Sequence, residues 1–415
     1  MNIRAKVVTW NERVIYWGII FIPFVVSFSA AAVNVFIGLV VAGFLVKKIA
    51  LRDCSLAKTP LNFPFFCLLT VALISFINSI SIKASIQGIE KLLKYGFLFL
   101  IMASEIRDRK HVKWIITAII SGLFLSCSDG FYSLIFGKDL FNADPPQFML
   151  GLSRIRAAFP STNILGGYLT LLSALPISLA LYYLKGRKKM LLIIVSAYVI
   201  YALINTLSRS AIFGTWAAII FMAAVKKDKI TLFLNLFLII LLSIFSARIV
   251  TNLVGNQTTV REIILDDTRV NIYRASLNMI KHHPIIGVGV NTFSINFQKY
   301  KLKETKGFTG DTQYYAHNIY LHMAGETGLI ALLVFIWLLF RVFKHWAYFY
   351  CRAAEDEFLK TCSLGIVAGL IAFLINGMAE TNLYYSKIAS FFWFQIGLLL
   401  AIIKLQIGDH EKQKD

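Results

Sequence analysis

YYAHNIYLHMAGETGLIALLVFIWLLF, residues 314–340, turns from a polar segment into an unbroken apolar run. A crossing of the bilayer needs about 20 mostly apolar residues, and this run with its flanks supplies them. Similar runs recur from Val14 to Ile403, with no soluble domain of ordinary composition between them. In lipid the backbone donors of such runs must be satisfied within the segment, so they read as helices.

The composition agrees. Hydrophobic residues make up 58% of the 415 and charged residues 15%, with a mean hydropathy of +0.69, too apolar for a soluble domain of this length. The fold class expected is an all-α polytopic membrane protein. It has about twelve transmembrane helices, centred near residues 22, 40, 71, 97, 124, 173, 198, 217, 241, 332, 369 and 394. Residues 1–254 then hold spans one to nine, 255–316 one large external loop, and 317–415 spans ten to twelve with a tail.

Lysine and arginine orient these spans. They gather at one set of helix ends: Arg4, Lys6 and Arg13; Lys47, Lys48, Arg52 and Lys58; Arg107, Arg109, Lys110 and Lys113; Lys185, Arg187, Lys188 and Lys189; Lys226, Lys227 and Lys229; Arg341, Lys344, Arg352 and Lys360; Lys404, Lys412 and Lys414. By the positive-inside rule this face is cytoplasmic, and an even span count puts both termini there. The net charge of +20 is thereby a topology signal, and no nucleic-acid partner is needed to explain it. Residues 1–32 have the outline of a signal peptide, but a second span follows at once, so retention is expected. The five cysteines, Cys54, Cys67, Cys127, Cys351 and Cys362, fall in spans or cytoplasmic segments, and no disulfide framework is expected.

Several polar intrusions sit toward the outer face. In the fourth span Glu90 and Lys94 stand at i,i+4 spacing and are expected to pair; alternatively Lys91 and Lys94 line a cavity for an anion. Between the fifth and sixth spans Gly137, Pro145, Pro146 and Pro160 mark an irregular loop, with Arg154 and Arg156 just before a helix start capped near Ser161–Asn163. The turn Asn205-Thr206-Leu207-Ser208-Arg209-Ser210 leaves its arginine little room to escape, so a fixed anionic partner is expected. Snorkelling to lipid phosphates would be the plainer reading of both places.

The longest non-membrane segment precedes His317. Within it DDTRVNIYRASLNMIKHH, residues 266–283, places Val270, Tyr273, Leu277 and Ile280 at spacings of three and four, acidic residues first and basic last. That is an amphipathic helix with dipole-matched ends, stopped by Pro284, lying along the membrane surface with Arg269 on its first turn. Gly287-Val288-Gly289 lacks the surroundings of a nucleotide loop and reads as a turn. His322 lies roughly 140° around an ideal helix from His317, the wrong face for joint metal ligation. Glu326, Glu380 and Asn382 are further polar residues on this side.

Arginine forks suit phosphate oxygens, and an external diphosphate at membrane height is most simply the head of a lipid carrier. Such a donor needs its leaving charge neutralised, which arginines do without metal. It also needs a proton drawn from an attacking hydroxyl, which a neutral imidazole can do near neutral pH. Arg209, Arg269 and His317 are the candidates for these tasks, with Arg156 as a further phosphate contact.

NTLSRSAIFG, DDTRVNIYRASLNMIKHHPIIGVGVNTF and YYAHNIYLHMAGETGLIALL, in this order on a polytopic chain with one large late loop, resemble the O-antigen ligase and polymerase superfamily. RAAFPSTNILGGYL resembles its earlier Arg to Pro-x-Asn segment. The resemblance implies a GT-C-type membrane fold, with Arg209 and Arg269 on the donor diphosphate and His317 as the essential histidine. Arg156, Asn163, Arg274, His322 and Glu380 are then possible secondary residues. It further implies an inverting, metal-independent glycosyltransferase of the bacterial inner membrane, without cofactor, acting at the periplasmic face. The donor would be undecaprenyl-diphosphate-linked glycan and the acceptor the lipid A core of lipopolysaccharide. A polymerase or protein O-oligosaccharyltransferase on the same scaffold is the alternative. A transporter of the same lipid-linked glycan is a third reading, though the inverted repeats and midplane charges of transporters are not seen in the sequence.

Overall fold

A computed structural model describes residues 3–53, 55–149, 152–234, 267–301, 314–352 and 356–412. In chain order the helices are α1 (Ile3–Val25), α2 (Ala30–Leu51), α3 (Asn62–Ile74, continued by a 3-10 turn Ser75–Asn78), α4 (Ile82–Glu105), α5 (Arg109–Phe136), α6 (Thr162–Tyr182), α7 (Gly186–Asn205) and α8 (Arg209–Lys226). After the undescribed stretch come α9 (Asp267–His282), α10 (Phe293–Tyr300), α11 (Ile319–Arg352), α12 (Glu357–Asn376) and α13 (Ser386–Lys412). The chain is an all-α polytopic membrane protein. Eight of these helices, α2, α5 to α8 and α11 to α13, are long and apolar enough to cross a bilayer. That count is lower than the twelve expected, for two physical reasons. The helices at the first and fourth expected positions carry more charge, such as Arg4, Lys6, Glu12 and Arg13 on α1 and Glu90, Lys91 and Lys94 on α4, and α3 is short at 13 residues. The ninth expected span and the 254/255 boundary lie outside the described residues.

At the centre α6, α12 and α13 are buried along nearly their whole length. Small residues allow this: Gly365 and Gly369 of α12 lie directly against the α6 backbone at Leu175 and Leu171, the kind of close approach by which helices associate where lipid supplies no hydrophobic drive. Around this centre α1, α2 and α4 pack on one flank, with Phe65, Phe99 and Trp393 forming an edge-to-face and stacked aromatic group.

The basic helix ends meet one another through ion pairs. Lys47 of α2 bonds Glu12 of α1 at 2.9 Å and Glu105 of α4 at 2.8 Å. Arg109 of α5 reaches Asp356, the cap of α12, at 2.8 Å, and Lys226 at the end of α8 faces Glu357 at 3.7 Å. The opposite ends of α6, α8 and α12, with the start of α11, come together at the other pole of the bundle.

Three local expectations are corrected. The loop between α5 and α6 contains a short antiparallel hairpin, Gln147–Met149 with Leu152–Arg154, in which Gln147 pairs with Arg154. On α9 the buried stripe is Ile272, Ala275, Ser276 and Met279, while Leu277 is 54% exposed. The helix turns that face inward because Phe293, Phe297 and Ala316 form a small core of their own against it. Finally, Glu90 does not pair with Lys94, whose ammonium donates to Asn34 Oδ1 at 3.0 Å and Ser386 Oγ at 2.9 Å; Lys91 donates to Asn291 Oδ1 at 3.2 Å.

Helix α11 breaks at Gly328, where φ is 83° and ψ 171°, a region open only to glycine. The break frees backbone groups that a regular helix would pair internally, and the segment after α9 takes them. Leu329 N donates to Pro284 O at 2.8 Å, while Val288 N and Gly289 N donate to Gly325 O at 3.0 Å and Glu326 O at 2.8 Å. The Gly287-Val288-Gly289 turn is thus the clasp that fixes α9 to α11.

Candidate active site

Asn318 explains why His317 stands where it does. Its Oδ1 accepts from Tyr320 N and Leu321 N, both at 2.9 Å, capping α11, and its Nδ2 donates to Met378 O at 2.9 Å. Ile319 N also donates to Gly377 O at 2.8 Å. The start of α11 is therefore stitched to the end of α12, and His317 must bend over the junction. Its φ of +47° is left-handed, unusual for a residue with a Cβ. Tyr273 of α9 holds the bend by donating its hydroxyl to His317 O at 3.2 Å.

Glu380, three residues beyond Gly377, is the hub. Its Oε1 accepts from Arg269 Nη2 at 2.7 Å and from Asn163 Nδ2 at 2.8 Å, and its Oε2 faces His317 Nδ1 at 3.4 Å. Arg269 adds a second bond, Nη1 to Ala379 O at 2.9 Å. Arg269 from α9, His317 before α11 and Asn163 from α6 are thereby brought to one carboxylate. Exposure separates them: the Glu380 side chain is 7% exposed, against 30% for Arg269 and 36% for His317. The carboxylate is the buried member of the group, and the guanidinium and imidazole are the more exposed ones.

Asn163 reaches this place because the first turns of α6 are built for close contact. Ser161 caps the helix. A Cβ on Gly166 would lie 3.0 Å from Ser208 Cβ, and one on Gly167 only 2.0 Å from Asn382 Nδ2. Asn382 in turn donates to Asn376 Oδ1 at 2.9 Å, and Asn376 donates to Ser210 Oγ at 2.9 Å. This chain of amides joins Glu380's surroundings to the start of α8. Arg209, between Ser208 and Ser210, opens α8 as an exposed side chain at the same pole. It is joined to the cluster through its neighbours.

The hairpin supplies an arginine that sequence reasoning placed near a helix start but did not carry to the site. Arg154 donates from Nη2 to Asn163 Oδ1 at 3.1 Å and from Nε to Thr206 O at 2.8 Å. Burial pulls its guanidinium below the ordinary arginine range, Glu380 opposing the shift and Arg269 adding to it. The period-2 alternation of the hairpin turns Arg154 and Arg156 the same way along the strand direction, but the second has left the strand. Arg156 pairs with Asp144 at 3.0 Å and donates to Pro145 O at 3.0 Å, within its own loop.

Two further expected residues stand elsewhere. Arg274 is exposed on α9. His322 is buried in a second cluster: Ala316 N donates to its Nδ1 at 3.3 Å, its Nε2 faces Glu326 Oε1 at 3.3 Å, and Tyr384 and Phe293 cover its ring. Glu326 also accepts from Asn291 N at 2.9 Å and Phe293 N at 2.8 Å, so this pair secures the fold beside the clasp. Among the described residues no three His, Cys, Asp or Glu side chains are grouped as metal ligands.

His317, Glu380 and Asn163 open onto a cavity of about 300 Å³ walled by Tyr314, Tyr315 and Tyr385. Aromatic walls offer apolar faces with polar tips, and the imidazole of His317 lines the cavity beside the carboxylate that holds the Arg269 guanidinium. Such a site can hold an anion beside a hydroxyl and accept the hydroxyl's proton. Comparison with curated proteins gives no significant match. Residues 194–336, which include Arg209, Arg269 and His317, match the family model described as O-antigen ligase. By that match this stretch of the chain, with its two arginines and its histidine, is similar to the O-antigen ligase family.

Proposed function

We propose that the protein is an O-antigen ligase of the bacterial inner membrane, transferring polysaccharide from undecaprenyl diphosphate to a sugar hydroxyl on the lipid A core at the periplasmic face. The single observation that carries this reading is the convergence of Arg269 and His317, both inside the stretch that matches the family, on Glu380, which lines one cavity together with His317.

In this reading Arg269 and Arg209 bind the diphosphate, and the planar fork of each offers paired donors to its oxygens. Arg154 stands behind as a fixed positive charge that holds Asn163 in place. His317 takes the proton from the acceptor hydroxyl, and the attack inverts the anomeric centre because nucleophile and leaving group occupy opposite faces of the sugar. The leaving diphosphate keeps the electron pair of the broken bond, and the arginines stabilise the charge that builds there. No divalent ion enters the scheme. The pole opposite the ion-paired basic ends then faces the periplasm, in keeping with the positive-inside rule.

The reading is tested in cells. Replacing His317 by Ala should abolish capped lipopolysaccharide while polymerised, carrier-linked glycan accumulates at the periplasmic leaflet. Survival of single-repeat capping with loss of long chains would make the protein a polymerase. Accumulation on the cytoplasmic leaflet would make it a transporter.

A further inference from the structure

The bonds at Glu380 are unequal. Oε1 holds two short ones, from Arg269 and Asn163, whereas Oε2 meets His317 Nδ1 only at 3.4 Å. In this state the carboxylate's charge is engaged chiefly by a guanidinium, the same guanidinium that a diphosphate would claim. Arg269 also donates to the neutral Ala379 carbonyl, so Glu380 is the anion that a diphosphate must displace. It is also the most buried of the three side chains, although it reaches the cavity wall beside His317.

We propose that Glu380 is a positioning residue that couples donor binding to proton removal, passing from Arg269 to His317 when a diphosphate takes the guanidinium. The coupling rests on the transferase reading given above and adds an order of events to it. With its proton on Nδ1 and pointed at the carboxylate, the imidazole presents the Nε2 lone pair to the cavity. The acceptor oxygen then bonds to the anomeric carbon as its proton passes to Nε2. The bond from that carbon to the phosphate oxygen breaks, and its electron pair leaves with undecaprenyl diphosphate. The imidazolium so formed pairs with Glu380 until it gives its proton to water.

The groups around His317 allow this. From α9 come Arg269 and the Tyr273 hydroxyl, the latter already donating to the His317 carbonyl. Tyr314, Tyr315 and Tyr385 line the cavity, and Arg154 acts on Glu380 across Asn163. Among the described residues Glu380 is the carboxylate within ion-pair distance of His317.

Glu380→Gln separates the two halves of the idea. The amide keeps the shape and an acceptor for Asn163 but has no charge for Arg269 or for an imidazolium. In proteoliposomes the variant should show kcat lowered by at least about tenfold, a fraction of the roughly 10²–10⁴-fold that general-base catalysis supplies, while the donor KM stays level or falls because Arg269 is released. Glu380→Asp should recover part of kcat. In the wild-type protein, histidine-selective 15N spectra should show His317 locked with its proton on Nδ1 when undecaprenyl diphosphate is added; this measurement needs no variant. A raised donor KM with kcat intact, or no change in the His317 signal on adding undecaprenyl diphosphate, overturns the coupling. If His317→Ala is inactive and Glu380→Gln behaves as wild type, only the coupling fails; if His317→Ala is active, the transferase reading itself fails.

Discussion

Replacing Gly328 by Ala should unclasp α9 from α11. A Cβ built there would lie 2.0 Å from Ile285 O, and that oxygen belongs to backbone, which cannot swing aside. Backbone strain at φ 83° and ψ 171° costs about 1–3 kcal/mol for a residue other than glycine. Relieving the clash means parting the segments and losing the bonds Leu329 N to Pro284 O, Val288 N to Gly325 O and Gly289 N to Glu326 O, at about 0.5–1.5 kcal/mol each. The sum, about 2.5–7.5 kcal/mol, is a large part of the stability of an ordinary domain. The assay is thermal inactivation in detergent, read as a midpoint at fixed heating rate because unfolding there is a rate-governed event. Gly38→Ala is the control: nothing lies within 4 Å of its Cβ position, and in a helix this change stabilises by about 0.4–1 kcal/mol. Gly328→Ala should lower the midpoint by several degrees and remove transfer, since Arg269 and His317 sit on the two parts being held together. A Gly328→Ala protein with the midpoint of the Gly38→Ala control would refute the clasp.

Asn318→Ala removes the cap of α11 and the tie to Met378 O; it should cost about 1 kcal/mol of stability and depress turnover more than that loss of fold explains, measured as activity per folded molecule. Arg154→Gln should lower transfer at least tenfold by releasing Asn163, whereas Arg156→Gln, whose partner is Asp144 in its own loop, should change transfer by no more than about twofold, since its bonds stay within that loop. Stability should also respond to pH through His283. Burial, Lys299 and His282 push its imidazole below the ordinary histidine range, and Asn78 Nδ2 lies 3.2 Å from its Nδ1 with Tyr300 OH 2.9 Å from Nε2. The unfolded chain therefore takes up this proton first, so the contribution is full above about pH 6.5 and is lost as pH falls from there through the lower folded value. His283→Gln should flatten the thermal midpoint against pH in that window.

Much of the scaffold was legible because lipid imposes one rule on every span. A run such as LIALLVFIWLLF, residues 329–340, has no stable form in a bilayer except a helix, and α2, α5, α6, α7, α8, α11, α12 and α13 stand at expected positions for that reason. Local chemistry was legible where it is written in neighbours: Pro284 ends α9, and the His317–Asn318 pair is a helix start with a residue bent ahead of it.

What tertiary packing decides was not legible. The inward stripe of α9 is chosen by Phe293 and Phe297 on the next helix, not by its own apolar period. Lys94 has Glu90 at the right helical spacing, yet it finds Asn34 and Ser386 on other helices. In the sequence Glu380 is a polar intrusion that only the family resemblance marks as a possible secondary residue, because its partners come from α9, the start of α6 and the start of α11, and no spacing along the chain records that meeting. The choice between Arg154 and Arg156 has the same origin. A two-residue difference becomes a difference of partner only when the hairpin fixes where the strand ends.

The central claim is that Arg269 and His317 serve one reaction in one pocket. Its most direct measurement is glycan transfer by purified protein in proteoliposomes containing undecaprenyl-diphosphate-linked glycan and core lipopolysaccharide, with chelator present. The account predicts transfer by the wild type, with chemistry abolished but donor still bound in His317→Ala, and donor binding lost in Arg269→Ala. Transfer surviving in His317→Ala, or activity that returns only when a divalent ion is restored, would contradict it.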